Sequence, residues 1–414
     1  MTGAPERILM INKFHYARGG AELYMLRLAA LLEQHGSHVD YFAMHHPRNL
    51  PSETDRHFVS EVDFEDPPKG FRRLGMAGRT VYSLEARRKM RDLLAERPAD
   101  LAHLHNIYHQ LSPSILSSLR KRNVPVVMTV HDFKLVCPVY TLQSHGEICE
   151  RCVGNGFSPA VKHRCNRGSL VGSLLVAGET WTHKKFGLYR NGIDIFITPS
   201  VFARDRLVKG GYPAERIRVI PNCVTAAVYE PQYEPGEKIL YLGRLSREKG
   251  LDVLVRASAL SGVPAQIAGE GPQRPELERL IAETGAPVEL LGFRQGNELA
   301  ETVRAARAVV MPSRCHDNAP LAVIEAMAWG KPVAGSRVGG IPEIVRDGVD
   351  GLLVPYDDPV ALGEAMTRLS GDDDLVANMG RSARARVEER FDAPAHYAAV
   401  VEAYGLARKL RRAA

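Results

Sequence analysis

Short apolar runs set about one helix length apart leave the second half of this chain few ways to fold. The runs are Lys238–Leu245, Ala265–Gly269, Val288–Phe293, Ala308–Ser313, Pro332–Ser336 and Gly351–Pro355. Strands separated by single helices cannot pair as hairpins, so they must lie parallel with the helices packed over them. The first half repeats the pattern less cleanly, at Ile8–Ile11, His38–Met44, Asp100–His105, Pro125–Val130 and Asp194–Ser200. Between its first two strands, Leu23, Leu26, Leu28, Ala30 and Leu31 form an apolar stripe, which predicts a helix over Ala21–His35 closed by Gly36. The expected class is therefore α/β, with two doubly wound parallel-sheet domains. Residues 1–224 would form the first, 238–392 the second, and the stretch 225–237, with Pro231, Pro235 and Gly236, reads as the linker. A basic helical stretch, 393–414, is expected to cross back to the first domain.

Composition excludes several classes. Hydrophobic residues at 45% and charged residues at 25% describe a globular chain, without the bias of a disordered one. The apolar run Ile8–Ile11, between Arg7 and Lys13, is too short for a leader, and no stretch approaches the ~18 apolar residues of a membrane span. A cytoplasmic protein is expected, with a peripheral position at the inner face of the cell membrane kept open. That option comes from segment 69–91, where Lys69, Arg72, Arg73, Arg79, Arg87, Arg88, Lys89 and Arg91 alternate with apolar residues. Such a segment is either a solvated helix face or a surface for anionic lipid or a lipid-linked molecule. No base-reading motif accompanies the charge, and nucleic acid is not expected as a partner.

The second half carries the chemistry. In Tyr241 to Gly250 a strand gives way to a helix, and Arg244 and Lys249 flank the turn. Two cations at such a turn can clamp a diphosphate, or form a plain solvated loop. Met311 to Val333 runs from a strand through a loop into a helix starting near Pro320. A helix start offers free N–H groups and partial positive charge to a phosphate, here from Ala319, Leu321 and Ala322, because Pro320 has no N–H. Asp317 lies on the loop and Glu325 inside the helix, where a carboxylate can take both hydroxyls of a ribose. In the first half, Gly19 and Gly20 open the first helix, a pair that fits either a phosphate approach or an ordinary turn. The dinucleotide fingerprint G-x-G-x-x-G is absent. His131 and Asp132 end a strand.

Taken in order, Gly243-Arg244-Leu245 with Glu248-Lys249-Gly250, Ala268 to Pro272, Leu291-Gly292-Phe293 and the Asp317/Glu325 pair resemble family 4 of the retaining glycosyltransferases. The resemblance covers nearly the whole chain. It implies the GT-B fold, two Rossmann-like domains facing across a cleft, and transfer of a sugar from a UDP- or GDP-linked donor. It also implies roles: Arg244 and Lys249 on the diphosphate, Glu325 on the ribose, and Gly269, Glu270, Gly271 and Phe293 around the base. Gly19 and Gly20 would face the donor, and His131 would touch the donor sugar. The family usually has Glu where this chain has Asp317, which shortens the carboxylate's reach by roughly 1.5 Å. The acceptor is expected to be a glycan, a lipid-linked molecule or a small molecule. A catalytically silent or epimerase-like relative on the same fold is the alternative.

No cofactor is expected for catalysis. Asp372-Asp373-Asp374 and Asp357-Asp358 sit at expected helix ends and are not read as metal sites. Cys137, Cys149, Cys152 and Cys165 crowd one insertion, 137–165, and Cys149-x-x-Cys152 has knuckle spacing. Those four are either a structural zinc site or free thiols.

Overall fold

The computed structural model describes residues 4–62 and 78–413. Its described residues form two compact units, and both are α/β. The first comprises the residues up to Leu142, Glu150–Ile220 and those from Tyr397 onward; the second comprises Gln143–Cys149 and Pro221–His396.

In the first unit, strands β1 (Arg7–Ile11), β2 (His38–Phe42), β3 (Leu101–Leu104) and β4 (Val126–Thr129) are joined by β7 (Ile195–Thr198) and β8 (Ile217–Val219). The sheet is parallel throughout, in the order β2-β1-β3-β4-β7-β8. Every residue of β3, β4 and β7 is buried, as expected where helices cover both faces. One face packs on the helix Gly20–Gln34 through Tyr24, Met25 and Leu28, and on Val400, Ala403, Tyr404 and Ala407 of the helix Ala393–Ala413. Arg411 of that last helix donates to Asp194 at 2.8 Å. Strand β8 is not read from the sequence; at three residues, Ile217–Val219, it is too short to stand out.

The second unit holds β9 (Lys238–Leu242), β10 (Ala265–Ala268), β11 (Val288–Gly292), β12 (Ala306–Met311), β13 (Val333–Ser336) and β14 (Gly351–Val354), in the order β11-β10-β9-β12-β13-β14. Strand β9 stops at Leu242 and not at Leu245, because Gly243 turns to φ +148, a conformation open to glycine. Strand β12 lies earlier than the apolar run Ala308–Ser313 suggests. The ladder between Ala306 and Ala308 is irregular, and it admits Arg307 to hydrogen-bond the Leu369 carbonyl at 2.6 Å. Val224 and Ala226 are buried in the second unit's core, and the Ala226 N–H donates to Asp392 at 2.8 Å. The short hairpin β5 (Gln143–Ser144) and β6 (Glu147–Ile148) also belongs to this unit, through a bond from the Gln143 side chain to the Arg314 carbonyl at 3.0 Å. Among the described residues no helix is long and apolar enough to cross a membrane.

Candidate active site

The second unit gathers its candidate residues at the carboxyl ends of β9, β10 and β12. Here backbone packs on backbone. A Cβ on Gly269 would lie 1.8 Å from the Gly243 carbonyl oxygen, and one on Gly271 would lie 2.3 Å from that of Leu245. Glycine at both points lets the two strand ends close up, with the Gly243 and Leu245 N–H groups bonded to the Ala268 and Glu270 carbonyls at 3.1 and 3.0 Å. Arg244 sits in this tight turn with its side chain exposed, and the Tyr241 hydroxyl donates to the Arg244 carbonyl at 3.1 Å. Glu270 is exposed and paired with Arg274 at 2.8 Å, while Phe293 is 66% exposed.

Two loops are then stitched together. The Arg314 N–H donates to the Glu248 carbonyl at 2.9 Å, and Gly250, at φ +68, has no room for a Cβ against the Pro312 carbonyl. That contact sets Lys249 against the loop after β12, where its ammonium donates to Asp317 Oδ1 at 2.6 Å. The other carboxylate oxygen accepts from the Ser313 hydroxyl, and the Gly340 N–H donates to the Asp317 carbonyl at 2.7 Å. Burial pulls the Lys249 ammonium down, but Asp317 beside it outweighs that pull and the net shift is upward. Burial, then the Asp317 charge, pushes the Cys315 thiol up, so it stays protonated.

The helix Leu321–Ala328 opens just past this loop. Pro320 is its N-cap and not its first turn: its ψ of 117° is extended, and the Val323 N–H closes onto the Pro320 carbonyl at 3.1 Å. Leu321 and Ala322 therefore carry the opening N–H groups. The preceding carbonyl, of Ala319, is taken by the Asn222 amide at 2.7 Å, and Ala319 itself is buried. Glu325 is half-buried and accepts from the Tyr229 hydroxyl at 3.4 Å. Ser313, Asn222 and Tyr229 are not singled out by the sequence, since each acts through a partner remote in it or through the loop's own turn.

The first unit holds a separate constellation. His131 follows β4, and its Nε2 is 2.9 Å from Nδ1 of His105, with the two rings stacked 5.2 Å apart. His105 stacks in turn on His103, whose two ring nitrogens meet Thr129 at 2.8 Å and Tyr404 at 2.7 Å. Burial pushes His131 down to about 3 and holds His105 well below its usual range, so these two imidazoles are neutral at physiological pH. The sequence signal for this array is His103-x-His105, two residues apart and so on one face of a strand. Gly19 caps the helix Gly20–Gln34 in an extended conformation, and a Cβ on Gly20 would meet nothing within 4 Å. Space at that helix start is therefore open.

Of the basic segment, 69–77 lies outside the described residues. Arg79 pairs with Glu85 at 2.8 Å, and Lys89 reaches the Phe58 carbonyl. Cys152 packs with Phe157, Ala160 and Ala177 in a small apolar cluster edged by Cys165, and burial pushes the buried Cys137 thiol up. Among the described residues no group of three or more His, Cys, Asp or Glu side chains is placed to hold a metal ion. The paired acids serve helix ends: Asp372 caps Asp373–Arg390 and Asp358 caps Pro359–Ser370, while Asp373 pairs with Arg307.

Residues 18–228 match the family model for Glycosyltransferase Family 4, and residues 236–372 match that for Glycosyl transferases group 1. Among solved structures, the sucrose-phosphate synthase of Thermosynechococcus elongatus aligns with 99% of this chain and 100% of its own, at 24% identity and a TM-score of 0.71. Anabaena HepE, solved in complex with UDP, aligns with 96% and 99% at 20% identity and a TM-score of 0.68. These likenesses define the fold as GT-B. The chain belongs to glycosyltransferase family 4. A sulfoquinovosyl transferase of Arabidopsis thaliana is 29% identical over 69% of this chain and 53% of its own length. The chain spans 19–53% of the length of the first curated relatives it matches.

Proposed function

We propose that this chain transfers a sugar from a nucleoside-diphosphate donor to an acceptor, with retention of configuration and without a catalytic metal. One observation carries the proposal: Lys249, fully charged and held at 2.6 Å by Asp317, stands on a loop stitched to the one that opens the helix Leu321–Ala328. In sugar transfer, negative charge grows on the departing diphosphate while the sugar becomes cationic. Fixed positive groups aimed at that charge lower the barrier. Lys249, the exposed Arg244 and the N–H groups of Leu321 and Ala322 supply them, and Glu325 takes the ribose.

Asp317 holds Lys249 in place when no donor is bound. Each of its oxygens keeps a lone pair, with which it can accept from a hydroxyl of the transferred sugar. His131 enters as a neutral imidazole, hydrogen-bonding the sugar through the nitrogen that His105 does not hold. With no evident nucleophile for a double displacement, the acceptor attacks on the face from which the diphosphate leaves and passes its proton to that diphosphate. HepE carries UDP in one crystal and UDP-glucose in another, which favours a uridine donor. The acceptor is a glycan, a lipid-linked molecule or a small molecule, met at the cytoplasmic face.

Incubating the purified chain with a panel of UDP- and GDP-sugars, with and without acceptor, tests the proposal through nucleotide release and the anomeric configuration of the product. Release of UDP that needs Lys249 and yields the donor's own anomer supports it. An inverted product, or no release from any donor, contradicts it.

A further inference from the structure

The helix Leu170–Lys185 is turned inside out. Its buried face carries Ser173, Ala177, Glu179, Thr180 and His183, whereas its exposed residues include Leu170, Val171, Leu174, Leu175 and Trp181, followed by Phe186. Val171 is 66% exposed and Trp181 52%. At 100° per residue, the exposed apolar positions fall within an arc of roughly 140°. The inward orientation is fixed by charge, because Glu179 is buried against Lys134 at 3.0 Å and His109 at 3.1 Å, and His183 meets the Val81 carbonyl at 2.8 Å. Rotating the helix to bury its leucines would expel that ion cluster, so the apolar face stays outward.

The charge around this face has one sign. Lys162, Arg164 and Arg167 precede the helix, Lys184, Lys185 and Arg190 end or follow it, and all are exposed. From Phe157 to Gly192 the only acid is Glu179, which is buried and paired. The Lys185 ammonium lies over the Trp181 ring, 4.6 Å from its centre. Beside the helix's carboxyl end, a cavity of 240 Å³ is lined by Lys184, Arg190, Lys209, Gly187, Gly211 and Tyr212. No carboxylate is among its lining residues, and of these Lys209 lies 4.0 Å from Glu150, which Arg206 holds at 2.7 Å.

We propose that this face is a docking surface for a bilayer bearing anionic lipids. Leucines and a tryptophan on a helix that lies along its unit, ringed by cations, match the apolar boundary and negative headgroups of such a surface. The adjoining cavity receives a phosphate headgroup on Lys184, Arg190 and Lys209. The surface anchors the first unit, independently of which sugar the second unit binds.

The test uses the full chain with Trp329→Phe, leaving Trp181 as its one tryptophan. It is titrated with phosphatidylcholine vesicles with and without phosphatidylglycerol. Emission from Trp181 should shift to the blue on vesicles, at roughly tenfold lower lipid concentration on the anionic than on the neutral ones. Leu174→Asp with Leu175→Asp should abolish the shift, and Lys184→Glu with Arg190→Glu should weaken partition roughly tenfold. Because Leu174, Leu175, Lys184 and Arg190 are exposed, the circular dichroism melting curves of their variants should match that of the Trp329→Phe parent. Unshifted emission on anionic vesicles overturns the proposal. So does a concentration-dependent dimer that Leu174→Asp dissolves in the absence of vesicle binding, since that assigns the face to a second copy.

Discussion

Each unit places a lysine against a carboxylate, and the two pairs are built for different ends. Lys134 and Glu179 in the first unit are 3.0 Å apart with 3% and 2% of their side chains exposed. Lys249 and Asp317 in the second are 2.6 Å apart with 23% and 14% exposed. The sealed pair has its remaining bonds inside the protein, to the Pro138 carbonyl and to His109, and it fixes the orientation of the helix Leu170–Lys185. The open pair lies on two stitched loops beside a helix start, with a charge that an incoming anion can share. Similar chemistry thus serves architecture where water is excluded and, in the proposed function, ligand binding where a face is left open.

Breaking the sealed pair should have the largest effect on stability. Glu179→Ala leaves Lys134 buried and unpaired, and should cost about 3–5 kcal/mol of first-unit stability, read as a lowered Tm in calorimetry. Nucleotide binding by the second unit should survive. Breaking the open pair should reverse the pattern. Lys249→Ala should lower turnover roughly a hundredfold, about 3 kcal/mol in the barrier, with little change in Tm. Near-normal turnover in that variant would remove the distinction between the pairs.

Acid should sharpen the contrast on a smaller scale. The folded state holds His131 neutral down to about 3, whereas the unfolded chain takes up that proton near 6.5. The unfolded state binds more protons in that window, so this contribution is complete above 6.5 and is lost as pH falls toward 3. Glu179, pulled down to about 2 by Lys134 and His109 against the opposing effect of burial, contributes fully above 4.5 and is lost toward 2. First-unit Tm should therefore fall on acidification, and His131→Gln should make the fall below 6.5 shallower, the remainder belonging to His105, His109 and His183, which burial also holds below their ordinary value. A Tm independent of pH between 7 and 4 would contradict a neutral His131.

The sequence is legible where burial and function are local, and silent where they join distant elements. Strands β9, β10, β12, β13 and β14 are mostly buried apolar runs because both faces of their sheet are covered, the edge strand β11 keeps the apolar Val288, Leu290 and Leu291 around an exposed Glu289, and each is readable to within a few residues. Arg244, Lys249, Asp317 and Glu325 lie in two local segments whose spacing carries their meaning. His105 against His131, 26 residues apart, and Lys134 against Glu179, 45 apart, are made by neighbouring elements, and no spacing encodes them. The helix Leu170–Lys185 inverts the usual rule that the apolar side faces in, because a buried ion cluster outranks its leucines. Nor could chain order have revealed that the hairpin of β5 and β6 belongs with the second unit.

The most direct test of the central claim is the turnover of a UDP-sugar by the purified chain in excess EDTA against turnover in magnesium or manganese. Neutralisation of the leaving diphosphate by Lys249, Arg244 and the helix start predicts equal rates in both. Loss of turnover in EDTA, restored by adding the metal back, would contradict it.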